Sequence, residues 1–163
     1  MPVRKSSPQD YEIIYKIAVP SWNEAYKNIL SVEQMEYMLD LMYSREAITE
    51  QMALQNHQFL LAEEDGEYLG FASYQVNYLS GATKLHKLYM LPEAQGKGIG
   101  RQLLTAIENA ALQNNNDTIL VNVNRYNTAV TFYEKTGFVK VREEDIAIGN
   151  GYLMEDFVMA KQL

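Results

Sequence analysis

The chain has 163 residues, 47% apolar and 21% charged, a balance that suits one folded domain with a buried core and gives no sign of disorder. A formal net charge of −7 argues against DNA or RNA as a partner, because backbone binding needs clustered Lys and Arg, and mildly favours a cationic small molecule. The absence of cysteine excludes disulfides, thiolate nucleophiles and Cys-ligated zinc, two histidines give no metal-ligand spacing, and no apolar run suits a signal peptide or membrane span, so a cytoplasmic protein without a metal is expected.

Residues 3–5 read as a short first strand. Ser7-Pro8-Gln9-Asp10 carries a helix start, with Ser at the N-cap, Pro at the first helical position and an acid in the first turn. Tyr11, Ile14, Tyr15 and Ala18 follow at helical spacing, and Pro20 is expected to break the helix. Residues 31–55 hold one or two further helices. Ser31 opens the first, Met35, Met38, Leu39 and Met42 share its apolar face, and Ser44 is placed to cap a second.

The period then changes. Residues 57–63 and 68–78 read as strands joined across Glu64-Asp65-Gly66-Glu67, and residues 85–91 as a third strand stopped by Pro92. A glycine-rich turn leads into an amphipathic helix over 99–113, with Leu103, Leu104, Ile107 and Ala111 on one side. After Asn114-Asn115-Asn116-Asp117 come a buried-type strand at 119–123, a helix at 128–135 stopped by Gly137, and closing strands at 138–141 and 156–159. Helices, antiparallel hairpins and one strand–helix–strand crossover make a mixed α/β sheet, in a single domain over residues 1–163.

The sharpest local feature is Gln95-Gly96-Lys97-Gly98-Ile99-Gly100, directly after a strand and directly before a helix. Three glycines at alternate positions let the backbone turn with positive φ and clear side chains from a ligand's path. Their amides and the positive end of the following helix favour a diphosphate. Lys97 and Arg101 stand at the rim, either as added charge or as two solvated surface cations. A P-loop needs Ser or Thr after Gly-Lys, whereas Gly98 and Ile99 follow Lys97. A dinucleotide fold needs Gly-x-Gly-x-x-Gly early in a βαβ unit, whereas this Gly-x-Gly-x-Gly comes late. An ordinary tight turn is the remaining reading, and three glycines within five residues speak against it.

The stretch Leu88-Tyr89-Met90-Leu91-Pro92, followed by Gln95-x-x-Gly98-x-Gly100, resembles motif A of the GNAT acetyltransferases, whose signature is (Arg/Gln)-x-x-Gly-x-(Gly/Ala). Downstream, Asn127-x-Ala129-x-x-Phe132-Tyr133-Glu134-Lys135-x-Gly137-Phe138 resembles motif B of the same family. The resemblance covers about residues 57–141, and the first 56 fit the family's N-terminal strand and helices in outline. It implies the GNAT fold: a central mixed, mostly antiparallel sheet flanked by helices, in which the parallel strands at 85–91 and 119–123 splay apart to admit pantetheine. It also implies an acetyl-CoA-dependent N-acetyltransferase, with the pyrophosphate at Gln95 to Gly100, pantetheine along Tyr89, Met90 and Leu91, and Asn127 where a family side chain contacts CoA. Leu85 and Leu88 are three apart, so a regular strand would set them on opposite faces. Either a bulge near residues 88–90 or a strand buried on both faces accommodates them.

Direct attack of an amine on a thioester needs a neutral amine, an oxyanion donor and a proton for the departing thiolate. The amide of Met90 or Leu91 is the candidate donor. Tyr133 matches the family tyrosine that stands near the CoA sulfur; the plainer reading is a buried helix tyrosine, in a chain with 12 of them. Asn127 can equally cap the helix after it. Many relatives carry Glu where this chain has Lys84, so His86, two residues on, is the candidate base, with a structural strand histidine as the alternative. Glu24, Glu33, Asp40 or a water chain stay open, as does an amine that arrives deprotonated.

The resemblance places Trp22, Tyr26, Tyr37 and residues 148–154 around the acceptor, although Trp22 also reads as a core anchor. The stretch from Ala147 to Lys161 faintly resembles polyamine-type members, which together with the acidic charge points to a polyamine or other small primary amine. The α-amine of a peptide or protein is the alternative acceptor. A rival from another class is a GNAT-like module that senses acyl-CoA without turnover; Tyr133 speaks against it and the missing glutamate for it. Some members pair through their C-terminal strands, so a homodimer stays open.

Overall fold

The computed structural model describes residues 2–163 and gathers their strands into one sheet with helices on both faces. Strand β1 (Val3–Lys5) is followed by a 3-10 turn over Pro8–Asp10 and by helices α1 (Tyr11–Tyr26), α2 (Val32–Tyr43) and α3 (Arg45–Ala53). Strands β2 (Gln58–Glu64), β3 (Glu67–Leu79) and β4 (Ala82–Met90) form a meander. Helix α4 (Ile99–Gln113) crosses to β5 (Thr118–Asn124), and α5 (Ala129–Lys135) leads to the hairpin of β6 (Val139–Gly149) and β7 (Tyr152–Gln162). The spatial order is β1-β2-β3-β4-β5-β7-β6, and every pairing is antiparallel except β4 with β5. The mixed, mostly antiparallel sheet anticipated from the sequence is present.

The capping serines act as their positions suggest. Ser31 Oγ accepts the Gln34 amide at 3.1 Å and Ser44 Oγ accepts the Ala47 amide at 3.1 Å, so residues 31–55 hold two helices. Pro20 does not break α1, contrary to expectation. An interior proline costs about 3 kcal/mol, but each large side chain buried beyond it returns roughly 1.5–3 kcal/mol. Trp22 and Tyr26 are both buried there, at 3% and 7% exposure. Trp22 is thus the core anchor of its plainer reading.

Each face of the sheet has its own core. On one, the α4 stripe Ile99, Leu103, Leu104, Ile107 and Ala111 packs with Leu60, Ala72, Leu85, Ile119 and Tyr133. On the other, Ile14, Ile17, Met35, Met38 and Ile48 pack with Phe59, Leu61 and Phe71. Gly70 sets how closely α4 approaches the sheet. A Cβ there would lie 2.8 Å from Ile99 Cγ2 and 3.1 Å from the Tyr89 carbonyl oxygen. The absent side chain on β3 therefore lets the first residue of α4 seat directly over β4.

Strand β4 carries a bulge, and it lies earlier than residues 88–90. Ser73 pairs with Lys87 and Tyr74 with Leu85, which leaves His86 as the extra residue. This one-residue insertion turns Leu85 and Leu88 to the same core, as their spacing requires. The closing strands are also longer than anticipated. Arg142-Glu143-Glu144-Asp145 hides β6, an edge strand with no buried position, and Gly149-Asn150-Gly151 supplies three consecutive positive φ values for the hairpin turn.

Gly70→Val would place side-chain atoms against Ile99 and the Tyr89 backbone, and an overpacked core costs about 1–3 kcal/mol. The unfolding free energy is expected to fall by that amount and the denaturation midpoint with it. An unchanged midpoint would show that α4 does not need the close seat.

Candidate active site

The parallel pair β4–β5 is the origin of the site. Its register runs from Ala82↔Thr118 only to Leu85↔Val121. Beyond that point β4 stays with β3 as far as Met90↔Gly70, while β5 stays with β7 as far as Asn124↔Asp156. The strands open into a wedge, as the sequence led us to expect.

Backbone direction within the wedge follows from the antiparallel ladder, whose amides point alternately to either side. The Leu91 amide donates to the Leu69 carbonyl at 2.9 Å, so it is already used. Phe71↔Tyr89 is then a mutually bonded pair, and the amides of Leu88 and Met90 point away from β3 into the wedge. Of the two candidate oxyanion donors, geometry leaves Met90. The Met90 carbonyl, on the same side, accepts Ser21 Oγ at 2.8 Å. Ser21 was missed in the sequence, where a serine one residue past a proline gives no signal.

The glycine turn sits at one end of the wedge. Gly96 and Gly98 have φ of 82° and 79°, so both positions need the left-handed region, and a Cβ at either would meet no atom within 4 Å. Gly100 differs from the reading in which all three glycines turn the chain. It is helical, and a Cβ there would lie 3.1 Å from Met90 Cε and 3.2 Å from the Phe132 ring. Its role is close packing. The amides of Gly96, Gly98, Ile99, Gly100 and Arg101 have no acceptor among the described residues, and they cluster at the N-terminus of a 15-residue helix. Such a cradle suits an anion's oxygens. Gln95, Lys97 and Arg101 are exposed around it, with Lys97 Nζ 4.0 Å from Glu64.

A cavity of about 660 Å³ runs from Gln95 past Leu88 and Met90 to Asn127, Phe132 and Tyr133. Tyr133 is buried, with its ring edge-on to Phe138 at 5.2 Å, and burial holds its phenol protonated well above the usual range. Asn127 Oδ1 accepts the Ala129 amide at 2.9 Å in a turn just ahead of α5, whose N-cap is Thr128 rather than the expected Asn127.

A second cavity, of about 690 Å³, lies under α1 and α2. Trp22, Tyr26, Met38, Met42 and Tyr43 form its roof, and β4, β5, β7 and β6 supply the polar residues Lys84, Lys87, Asn122, Asp156 and Glu144. Tyr89 lines both cavities, and its hydroxyl lies 3.1 Å from that of Tyr26. Tyr37 donates to the Ile148 carbonyl at 2.7 Å and Gln34 Nε2 to the Leu153 carbonyl at 3.1 Å, tying α2 to the β6–β7 hairpin.

Lys84 Nζ bonds Asn122 Oδ1, and Asn122 Nδ2 reaches Glu144 Oε2 at 3.2 Å and Asp156 Oδ2 at 3.3 Å. Lys87 Nζ bonds Gln51 Oε1 at 2.7 Å over the rings of Tyr43 and Phe59, and burial pushes its pKa down to about 8. His86 is stacked on His57 with centroids 3.8 Å apart, and its Nε2 lies 3.1 Å from Gln75 Oε1. Burial, then the neighbouring His57, lowers the His86 pKa to about 3, which makes it a weak base at neutral pH. Glu33 and Asp40 are exposed on α2 outside both cavities, and Glu24 lines the first cavity beside Lys27, 3.2 Å away. No cluster of His, Asp and Glu that could hold a metal ion occurs among the described residues, and none of their helices is long and apolar enough to cross a membrane.

A family model described as an acetyltransferase (GNAT) domain matches residues 26–160. Over 158 residues the chain is 30% identical to the spermidine N(1)-acetyltransferase of Thermoplasma acidophilum, covering 94% of each chain. The crystal structure of the PaiA N-acetyltransferase from Thermoplasma acidophilum, in complex with coenzyme A, superposes with a TM-score of 0.83 at 28% identity, covering 99% of this chain and 98% of that one. A ribosomal-protein-alanine N-acetyltransferase from Brucella melitensis shares the fold, with a TM-score of 0.69 at 19% identity over 100% of both chains.

The stacked histidines also shape acid stability. Burial depresses the folded-state pKa of His57 to about 4 and of His86 to about 3, below an unfolded value near 6.5. The unfolded chain therefore binds more protons between these limits. Stability is full above about pH 6.5 and falls as pH drops toward 4. Thermal midpoints are expected to decline from pH 7 to pH 5, and a His57→Gln/His86→Gln double variant to flatten that slope. An equal slope in the variant would remove the pair as its cause.

Proposed function

The chain belongs to the GNAT acetyltransferase family, and from that premise we propose that it transfers an acetyl group from acetyl-CoA to a primary amine of a small molecule. The wedge carries this reading, because it sets an unpaired Met90 amide between an anion cradle and a buried phenol. The free amides from Gly96 to Arg101 suit a pyrophosphate, with Gln95, Lys97 and Arg101 at its edge. The Leu88 and Met90 amides suit pantetheine, much as an added strand would bond. Tyr89, whose backbone is held by β3, contributes its side chain to the cavity wall, Leu91 packs against the core beside it, and Asn127 borders the same channel.

The chain then supplies three services. The Met90 amide donates to the oxygen that gains charge when the thioester carbon is attacked. Tyr133, protonated at neutral pH and lining the donor cavity, is the group that gives its proton to the departing sulfur. The second cavity receives the amine.

For the acceptor, a polyamine-like amine is the first choice. Glu144 and Asp156 line the second cavity, the net charge is −7, and a spermidine acetyltransferase is among the similar proteins. The tie between α2 and the hairpin joins two walls of that cavity, which suits a small molecule better than a peptide chain. We read residues 1–163 as one catalytic domain, acting in the cytoplasm.

Two variants test the assignment. Gly98→Glu puts a negative charge into open space at a φ of 79°, a strain confined to an exposed turn, so the protein is expected to fold with slightly lower stability and lose calorimetrically detectable acetyl-CoA binding; normal binding would displace the pyrophosphate from this turn. Tyr133→Phe is expected to lower kcat by about 10²-fold or more while leaving acetyl-CoA affinity unchanged. Equal turnover would remove its acid role, and acetyl-CoA binding without thiol release for any amine would favour a sensor.

A further inference from the structure

We propose that Asp156 is the general base of this reaction, taking the proton from the acceptor's ammonium group in the cavity beneath α1 and α2. The proposal rests on the acetyl-transfer reading above.

Asp156 stands on β7 opposite Asn124 of β5 and Glu144 of β6, beyond the last β4–β5 pair and therefore level with the open wedge. It is 2% exposed and lines the acceptor-side cavity. Its Oδ2 accepts Asn122 Nδ2 at 3.3 Å, and its Oδ1 has no hydrogen-bond partner among the described residues. The other carboxylate lining this cavity, Glu144, is held by Arg142 at 2.8 and 3.0 Å. Asp156 is thus the cavity carboxylate with a free oxygen and no cation bound to it.

The charges around it are accounted for. Lys84 from β4 is bonded to Asn122, which fixes the amide so that its Nδ2 end faces the two carboxylates. Arg125, after β5, is paired with Glu143 and Asp145, and Arg142 with Glu144. Tyr26 from α1 is the nearby phenol, bonded in turn to Tyr89 on the wall shared with the donor side. Burial raises the Asp156 pKa above the ordinary carboxylate value, the direction a base needs when it must accept a proton near neutral pH.

The proton balance closes. Asp156 takes one proton from the ammonium and leaves a neutral amine, whose lone pair forms the N–C bond. The C–S bond breaks with its electron pair on sulfur, and Tyr133 protonates the thiolate. The second nitrogen proton restores the phenol, and Asp156 returns its own proton to solvent.

The test compares wild type with Asp156→Asn in acetyl-CoA calorimetry and in thiol release with spermidine and short diamines from pH 6 to pH 10. Equal acetyl-CoA affinity is expected, with turnover at pH 7 lower by about 10²-fold or more. The deficit should narrow as pH approaches the amine's own pKa of about 10, because solvent then supplies neutral amine. A deficit that stays constant with pH would mark a structural role and overturn the proposal. Turnover equal to wild type would overturn it and leave acetyl transfer standing. Wild type that releases no thiol with any amine would overturn acetyl transfer itself, and the proposal with it. Should Asp156→Asn not fold, Lys84→Met gives a second reading. Loss of that cation favours the protonated carboxyl, so the acid limb of the pH–rate profile moves to higher pH; an unmoved limb overturns the proposal.

Discussion

A strand held by two different neighbours cannot stay parallel to both, and this constraint organises the molecule. Strand β4 is fastened to β3 through Met90 and β5 to β7 through Asn124, so their own short pairing ends at Leu85↔Val121. The wedge between them exposes backbone groups that a continuous sheet would have paired. Leaving such a group buried and unpaired costs roughly 1–3 kcal/mol. Ser21 meets the demand of the Met90 carbonyl, and the Met90 amide remains as a standing donor at the centre of the molecule. Gly70 and Gly100 bring α4 close enough that the cradle of free amides opens onto the same channel.

The two sides of the wedge have different chemistry. The side of the glycine turn, proposed for the donor, is built from backbone amides and a helix end, which change little when side chains change. The side proposed for the acceptor is built from side chains: an aromatic and methionine roof, and a floor where Lys84, Asn122, Glu144 and Asp156 share hydrogen bonds. Buried charge there is balanced by pairing and by neutralisation. Lys87, without an acidic partner, keeps only Gln51 and two ring faces, and its pKa falls accordingly.

Features written in local sequence were legible. Glycines at 96 and 98, serines at 31 and 44 and the Asp65-Gly66 turn each act through their own neighbours, and each performs as read. What was hidden depends on residues far apart. Pro20 reads as a stop until the burial of Trp22 and Tyr26 is weighed against it. Leu85 and Leu88 left a bulge and a strand buried on both faces equally open, and only pairing with β3 shows a bulge with His86 as the inserted residue, earlier than residues 88–90. Leu91 could not be set apart from Met90 without the ladder. Asp156 gave no signal beside Glu155 in a closing strand; its environment comes from Asn122, Lys84 and Glu144 on three other strands.

Tyr89 is the one residue that lines both cavities among those described. Its side chain borders both spaces, so the two ligands proposed for them would meet beside it. On the proposed reading, neither ligand has to leave before the other enters. The chain, lacking any cysteine, also offers no thiol on which an acyl group could wait. On that reading turnover runs through a ternary complex of protein, acetyl-CoA and amine, with the acetyl group passed directly to nitrogen.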